Sequence, residues 1–135
     1  MRYVERYNFL NFLNLLLPHG EDNISFEKRD GDLRVTIPYN DRTQSIRLLF
    51  ESCSYQYVFL VPGYCPEELA SDFIYDFSRV YELFDTKLLY ESEAISESYG
   101  YKPNRRHFFF YLEWENVAFH VIAKSCEFTE ANGPL

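Results

Sequence analysis

Glycine is scarce in this chain, with five residues in 135, and the five are scattered. No phosphate-cradling loop is built from them, so neither a P-loop nor a dinucleotide fingerprint is present. The Gly-x-Ser-x-Gly turn that raises a nucleophilic serine is missing too. Asp-x-Asp clusters of the calcium-loop type are equally absent. Cysteine is limited to Cys53, Cys65 and Cys126, with no paired spacing, which excludes a disulfide framework and a zinc ligand set. Free thiols of a reducing cytoplasm, buried as small hydrophobes, are the expectation. The three histidines, His19, His107 and His120, include no pair one helical turn apart, and no metal or cofactor is expected. The apolar run near the N-terminus is too short and too polar to span a membrane. Arg2 and Arg6 precede it as in a secretion signal, but Glu5 and three asparagines intrude and no small-residue cleavage site follows before Pro18.

Positive charge is also in short supply. Thirteen Lys and Arg face 21 Asp and Glu, a formal net charge of −8. The deficit is local. Between Pro66 and Ser98 nine acids stand against Arg79 and Lys87, so seven of the eight excess negative charges lie in that stretch. Such a field repels nucleic acid and anionic lipid and attracts basic surfaces.

Aromatic residues are abundant, with 12 Tyr and 13 Phe, and hydrophobic residues make up 47% of the chain. These values exclude disorder and, at this length, predict one domain, residues 1–135, with its own core. A surplus of tyrosine suits interfaces as well as cores, because the ring buries area while the hydroxyl stays polar.

Periodicity predicts the elements. Tyr3 to Leu17 reads as a helix apolar nearly all round, ended by Pro18, His19 and Gly20. A hairpin follows, Ile24–Lys28 and Leu33–Ile37, turning at Asp30-Gly31. Gln44–Glu51 and Tyr55–Val61 read as two further strands. Pro66 to Phe84 reads as a helix, with Leu69, Phe73, Phe77, Val80 and Phe84 on its buried stripe and Glu68, Asp72 and Asp76 on an outward one. Lys87–Ser96 reads as an edge strand on which Glu91 and Glu93 share a face. Tyr99–Arg106 reads as a loop.

The last hairpin is His107–Trp114 and Val117–Lys124 about a two-residue Glu115-Asn116 loop. It places Phe108, Phe110, Phe119, Val121 and Ala123 on a core face, and Phe109, Tyr111, Glu113, His120 and Ile122 on a half-polar face. The tail or a second copy of the chain is expected to cover that second face. Residues 127–135 read as an irregular tail. Together these elements predict an α+β fold, an antiparallel sheet of about six or seven strands with two helices packed on one face.

Catalysis requires convergent groups. His120, opposite Tyr111 and near Glu113, is the one general-base arrangement available, and a half-buried strand histidine bonded to a tyrosine explains it more simply. Lys102, Arg105, Arg106 and His107 form a small basic spot beside Tyr99 and Tyr101. Nucleic-acid binding is one use for it. Pairing with the protein's own acidic helix is the other, and the overall acidity favours it. The sequence therefore points to binding rather than catalysis. Glu68, Asp72, Tyr75, Asp76 and Glu82 are the expected contacts to a basic, nucleic-acid-binding partner protein whose phosphate-holding groove they would occupy. That is the physical logic of nuclease inhibitors, immunity proteins and the inhibitors phages carry against bacterial defence. The alternative is a dimeric acidic chaperone or adaptor, with the apolar N-terminal helix or the half-polar hairpin face as the homodimer surface. An enzyme with an unrecognised site is the third possibility.

Overall fold

The computed structural model describes residues 2–8, 25–39, 44–53, 55–60, 79–100, 104–112 and 117–132. Its strands, in chain order, are β1 (Tyr3–Asn8), β2 (Ser25–Arg29), β3 (Asp32–Tyr39), β4 (Gln44–Glu51), β5 (Tyr55–Leu60), β6 (Arg79–Leu83), β7 (Arg106–Leu112), β8 (Val117–Ala123) and β9 (Ser125–Asn132). One helix, α1 (Lys87–Ser98), lies between β6 and β7. The strands form two antiparallel sheets, five-stranded in the order β1-β6-β7-β8-β5 and four-stranded in the order β2-β3-β4-β9. The architecture is mostly β, so the α+β expectation of one sheet carrying two helices is overturned.

The local chemistry explains where the expectation held. Asp30 and Gly31 have φ of 53° and 85°, the pair of left-handed residues that lets a two-residue loop match the strands' twist. The strands on either side pair Arg29 with Asp32 and Ser25 with Thr36. In β3 and β4 every second side chain is buried: Leu33, Val35 and Ile37 against Ile46, Leu48 and Phe50. These meet Phe108, Phe110, Phe119 and Val121 from the other sheet in one core. Phe50 lies against both Phe108 and Phe110, and Phe110 stacks on Phe119 with ring centroids 4.6 Å apart.

Four elements differ from expectation. Tyr3–Asn8 is an edge strand rather than the start of a helix; the rest of that segment, to residue 17, lies outside the described residues. All of its residues but the half-buried Tyr7 are exposed, so no alternation marks it as a strand. Arg79–Leu83, the predicted end of the second helix, is a strand between β1 and β7. Burial on both faces of Val80, Tyr81, Glu82 and Leu83 favours an extended chain over a one-sided helix. Residues 66–78 of that helix lie outside the described residues. Lys87–Ser98, expected as an edge strand, is helical. The expected tail is β9, paired along its whole length with β4.

The β7–β8 hairpin keeps its faces but not its register. Leu112 pairs with Val117 and Phe110 with Phe119, two residues from the expected alignment, and residues 113–116 separate the strands. A slip of two preserves sidedness, since side chains alternate with a period of two.

The chain changes sheet at Lys124, the single residue between β8 and β9, whose N–H donates to Glu51 O at 2.8 Å. By Cys126 and Phe128 it has reached Tyr7 in β1, which bonds Cys126 O at 2.6 Å and stacks on Phe128. Three strand spacings, roughly 14 Å, are covered in five residues of strand, so β9 begins by crossing the five-stranded sheet rather than following it.

Candidate functional site

The second face of the five-stranded sheet is closed. Phe109, His120 and Ile122 are fully buried, with Tyr81 and Leu83 beside them. The expected tail cover does not apply, because β9 belongs to the other sheet. Nor does this face need a second copy of the chain to shield it.

A hydrogen-bonded line runs through this face. Thr86 is the N-cap of α1, its Oγ1 accepting from Leu89 N at 3.2 Å. The same Oγ1 stands 2.7 Å from His107 Nδ1, and His107 Nε2 stands 2.8 Å from His120 Nδ1. Thr86 and both histidines are buried. Burial pulls His107 down to about 3, helped by the neighbouring His120, and burial alone pulls His120 down to about 4. Both are therefore neutral near pH 7. The expected Tyr111–His120 pairing is not formed: β7 places Phe109 opposite His120, and Tyr111 opposite Ala118. A buried, neutral imidazole in this line is a structural hydrogen-bonding group.

On the core-facing side, Glu82 shares a cross-strand row with Val4 and Phe108. It is only 4% exposed. Arg6 Nε donates to its Oε1 at 2.9 Å, and Arg106 Nε donates to its Oε2 at 3.0 Å. Burial alone would raise this carboxyl, but the hydrogen bonds and charges of Arg106 and Arg6 outweigh it and hold Glu82 below the ordinary carboxylate range. The Arg106 guanidinium also lies over the Phe108 ring. Glu82, expected to face a partner, is thus an internal ion-pair centre and is withdrawn from the contact set. Glu68, Asp72, Tyr75 and Asp76 lie outside the described residues. The basic spot is broken up as well: Arg106 turns to Glu82, His107 is interior, and Lys102 and Tyr101 are outside the described residues.

Among the described residues, an acidic, tyrosine-bearing helix surface is found on α1, which the sequence reading did not expect to be helical. Thr86 starts this helix and Gly100, at φ 81°, stops it, with Gly100 N bonded to Glu97 O. Those start and stop residues, with no Gly or Pro between them, are the signal that identifies it in the sequence. Leu88 is its one buried residue. Tyr90, Ile95 and Tyr99 are 55%, 63% and 76% exposed. Glu91 and Glu97 are exposed and Glu93 half-exposed. Glu91 lies 3.8 Å from Lys87, and Glu93 and Glu97 make no ion pair. Tyr90 donates to Asp85 at 3.2 Å, and that bond to an acid raises its pKa. On a helix Glu91 and Glu93 point about 200° apart, so the shared carboxylate face expected of a strand does not exist.

Among the described residues no group of three His, Cys, Asp or Glu is placed to hold a metal ion. Cys53 and Cys126 are buried free thiols, and burial pushes Cys126 up to about 12, far from a reactive thiolate. No helix among the described residues is long and apolar enough to cross a membrane. Comparison with protein-family models, with curated sequences and with solved structures returns no match.

Proposed function

We propose that this is a small acidic binding protein that inhibits a basic, nucleic-acid-binding partner, in the manner of an immunity or anti-defence inhibitor. The reading is carried by one observation: α1 presents carboxylates without an ion-pair partner among the described residues, Glu93 and Glu97, together with exposed tyrosines, Tyr90 and Tyr99. Glu93, Glu97, Tyr90 and Tyr99 are the contacts we assign on α1, and Glu68, Asp72, Tyr75 and Asp76 remain part of the proposed surface. Carboxylates fixed on a short, capped helix stand in for phosphates at little ordering cost to the partner. Long-range attraction by such a patch speeds association and weakens with salt. The buried free thiols accord with a cytoplasmic setting.

The test is competition. Protein immobilised and exposed to an extract of its native cells should retain a basic nucleic-acid-binding protein. That retention should fall steeply between about 0.05 and 0.3 M salt, and double-stranded DNA or RNA should displace the partner. A retained partner that binds nucleic acid and this protein simultaneously, or retention indifferent to salt, refutes the proposal.

A further inference from the structure

The apolar stripe of α1 runs off the edge of the body. Leu88, Ser92, Ile95 and Tyr99 follow one another at four-, three- and four-residue steps, on one side of the helix. Leu88, at the start of the stripe, is 8% exposed; Ile95 and Tyr99, farther along it, are 63% and 76% exposed. They stand roughly 10 Å and 16 Å beyond Leu88 along the axis. The helix is held through its first turn, by Leu88 and by the Thr86 cap tied to His107, and Ile95 and Tyr99 at its far end are left in solvent. Large apolar side chains kept in water on a helix are the anchors of helix-in-groove recognition.

The charges around that stripe select the groove. Asp85, Glu91, Glu93 and Glu97 surround it, with Lys87 the one base of the helix and already beside Glu91. A second copy of the chain would bring these acids against their equivalents, on molecules each of formal charge −8. An anionic lipid surface is repelled in the same way. We infer that Ile95 and Tyr99 dock into an apolar groove rimmed by lysine or arginine on the partner protein, Glu93 and Glu97 pairing with the rim. This rests on the binding reading above and adds what that reading lacks, an apolar anchor. Charge then sets the approach rate, and the two buried side chains set the lifetime of the complex.

The experiment uses a probe of defined chemistry, a synthetic amphipathic helix of leucine and lysine, with oligolysine of the same charge as control. Titration is followed by calorimetry, and the contact is mapped by hydrogen exchange of the α1 amides. At about 0.15 M ionic strength, where exposed charges are screened within ~8 Å, the leucine–lysine helix should bind at least tenfold more tightly than oligolysine and protect residues 89–99. The Ile95→Ser, Tyr99→Ser double variant changes only exposed side chains and should lose about tenfold in affinity. The Glu93→Gln, Glu97→Gln variant should lose affinity mainly at low salt. If the serine variant binds as the parent does while the glutamine variant is weakened, the anchor is wrong and the charge reading survives. If neither variant alters binding, both are wrong. A concentration-dependent dimer in light scattering, dissociated by the serine substitutions, would assign the stripe to a second copy and overturn the inference.

Discussion

Acidification between pH 7.5 and 5.5 should destabilise this protein through two buried imidazoles, and the size of the effect follows from their surroundings. His107 and His120 are buried, and His107 stands between Thr86 and His120 in one hydrogen-bonded line. Folding therefore holds them neutral, at about 3 and about 4, whereas in the unfolded chain each titrates at an ordinary histidine value near 6.5. The unfolded state binds protons that the native state refuses, so stability is complete above the unfolded value and falls as pH drops through it. At pH 5.5 each histidine contributes about 1.4 kcal/mol of loss relative to pH 7.5, about 2.7 kcal/mol for the pair. Glu82 does not confuse the measurement. Its depressed carboxyl supplies stability that persists above its unfolded value, near 4.5, and is lost only below it. Urea unfolding at the two pH values measures the difference directly. His120→Gln should remove about half of the pH dependence, although it will lower stability at both pH values. Proton NMR should show two imidazoles that do not titrate down to pH 5. A stability that is flat over this range, or ring signals for both with midpoints near 6.5, would refute the dry-pair account.

Three further substitutions probe other parts of the structure. Thr86→Ala removes the α1 cap and leaves His107 Nδ1 without its partner; a loss of about 2–3 kcal/mol is expected in urea unfolding, against less than about 1 kcal/mol for Thr86→Ser. Glu82→Gln leaves two guanidinium groups sharing a neutral amide. The expected cost is about 1–3 kcal/mol by thermal unfolding, below that of a fully buried pair because both arginine side chains are 38% exposed. Phe50→Ala opens the centre of the sandwich, where Phe108 and Phe110 converge, and should cost about 3–5 kcal/mol.

What the sequence made legible was sidedness within consecutive strands. Asp30-Gly31 announced its hairpin through backbone chemistry, and β3, β4 and the core face of β7 and β8 announced themselves through alternation. What it concealed were pairings between distant segments. β1 and β6 are joined across some 75 residues, and β9 finds β4 after the chain has changed sheet at Lys124. An edge strand such as Tyr3–Asn8, wet on both sides, has no face for a pattern to report. Arg79–Leu83 is buried on both sides and leaves no alternation either, so Val80 fitted a helical stripe equally well. Lys87–Ser98 failed for a different reason. Glu91 and Glu93 suggested alternation, while the stronger evidence lay at the ends, in a capping threonine and a terminating glycine. Of the expected contact residues only Glu82 lies among the described residues, and a buried strand position between two arginines is not something its helical spacing could report.

The two faces of the five-stranded sheet solve the problem of buried ionisable groups in opposite ways, and the contrast bears on binding. Toward the four-stranded sheet, Glu82 keeps its charge because Arg6 and Arg106 reach it while their own side chains still touch water. On the other face burial keeps His107 and His120 neutral. Neither solution leaves net negative charge inside. The ion pairs Glu82 with Arg6 and Arg106, Glu5 with Arg79, and Glu91 with Lys87 hold four bases with three acids. Pairing among these described residues leaves the formal net charge of the chain at −8. In the complex we propose, a basic partner would meet Glu93 and Glu97 on α1 without first displacing a base among the described residues, so the gain of pairing with them is not offset by breaking a described ion pair.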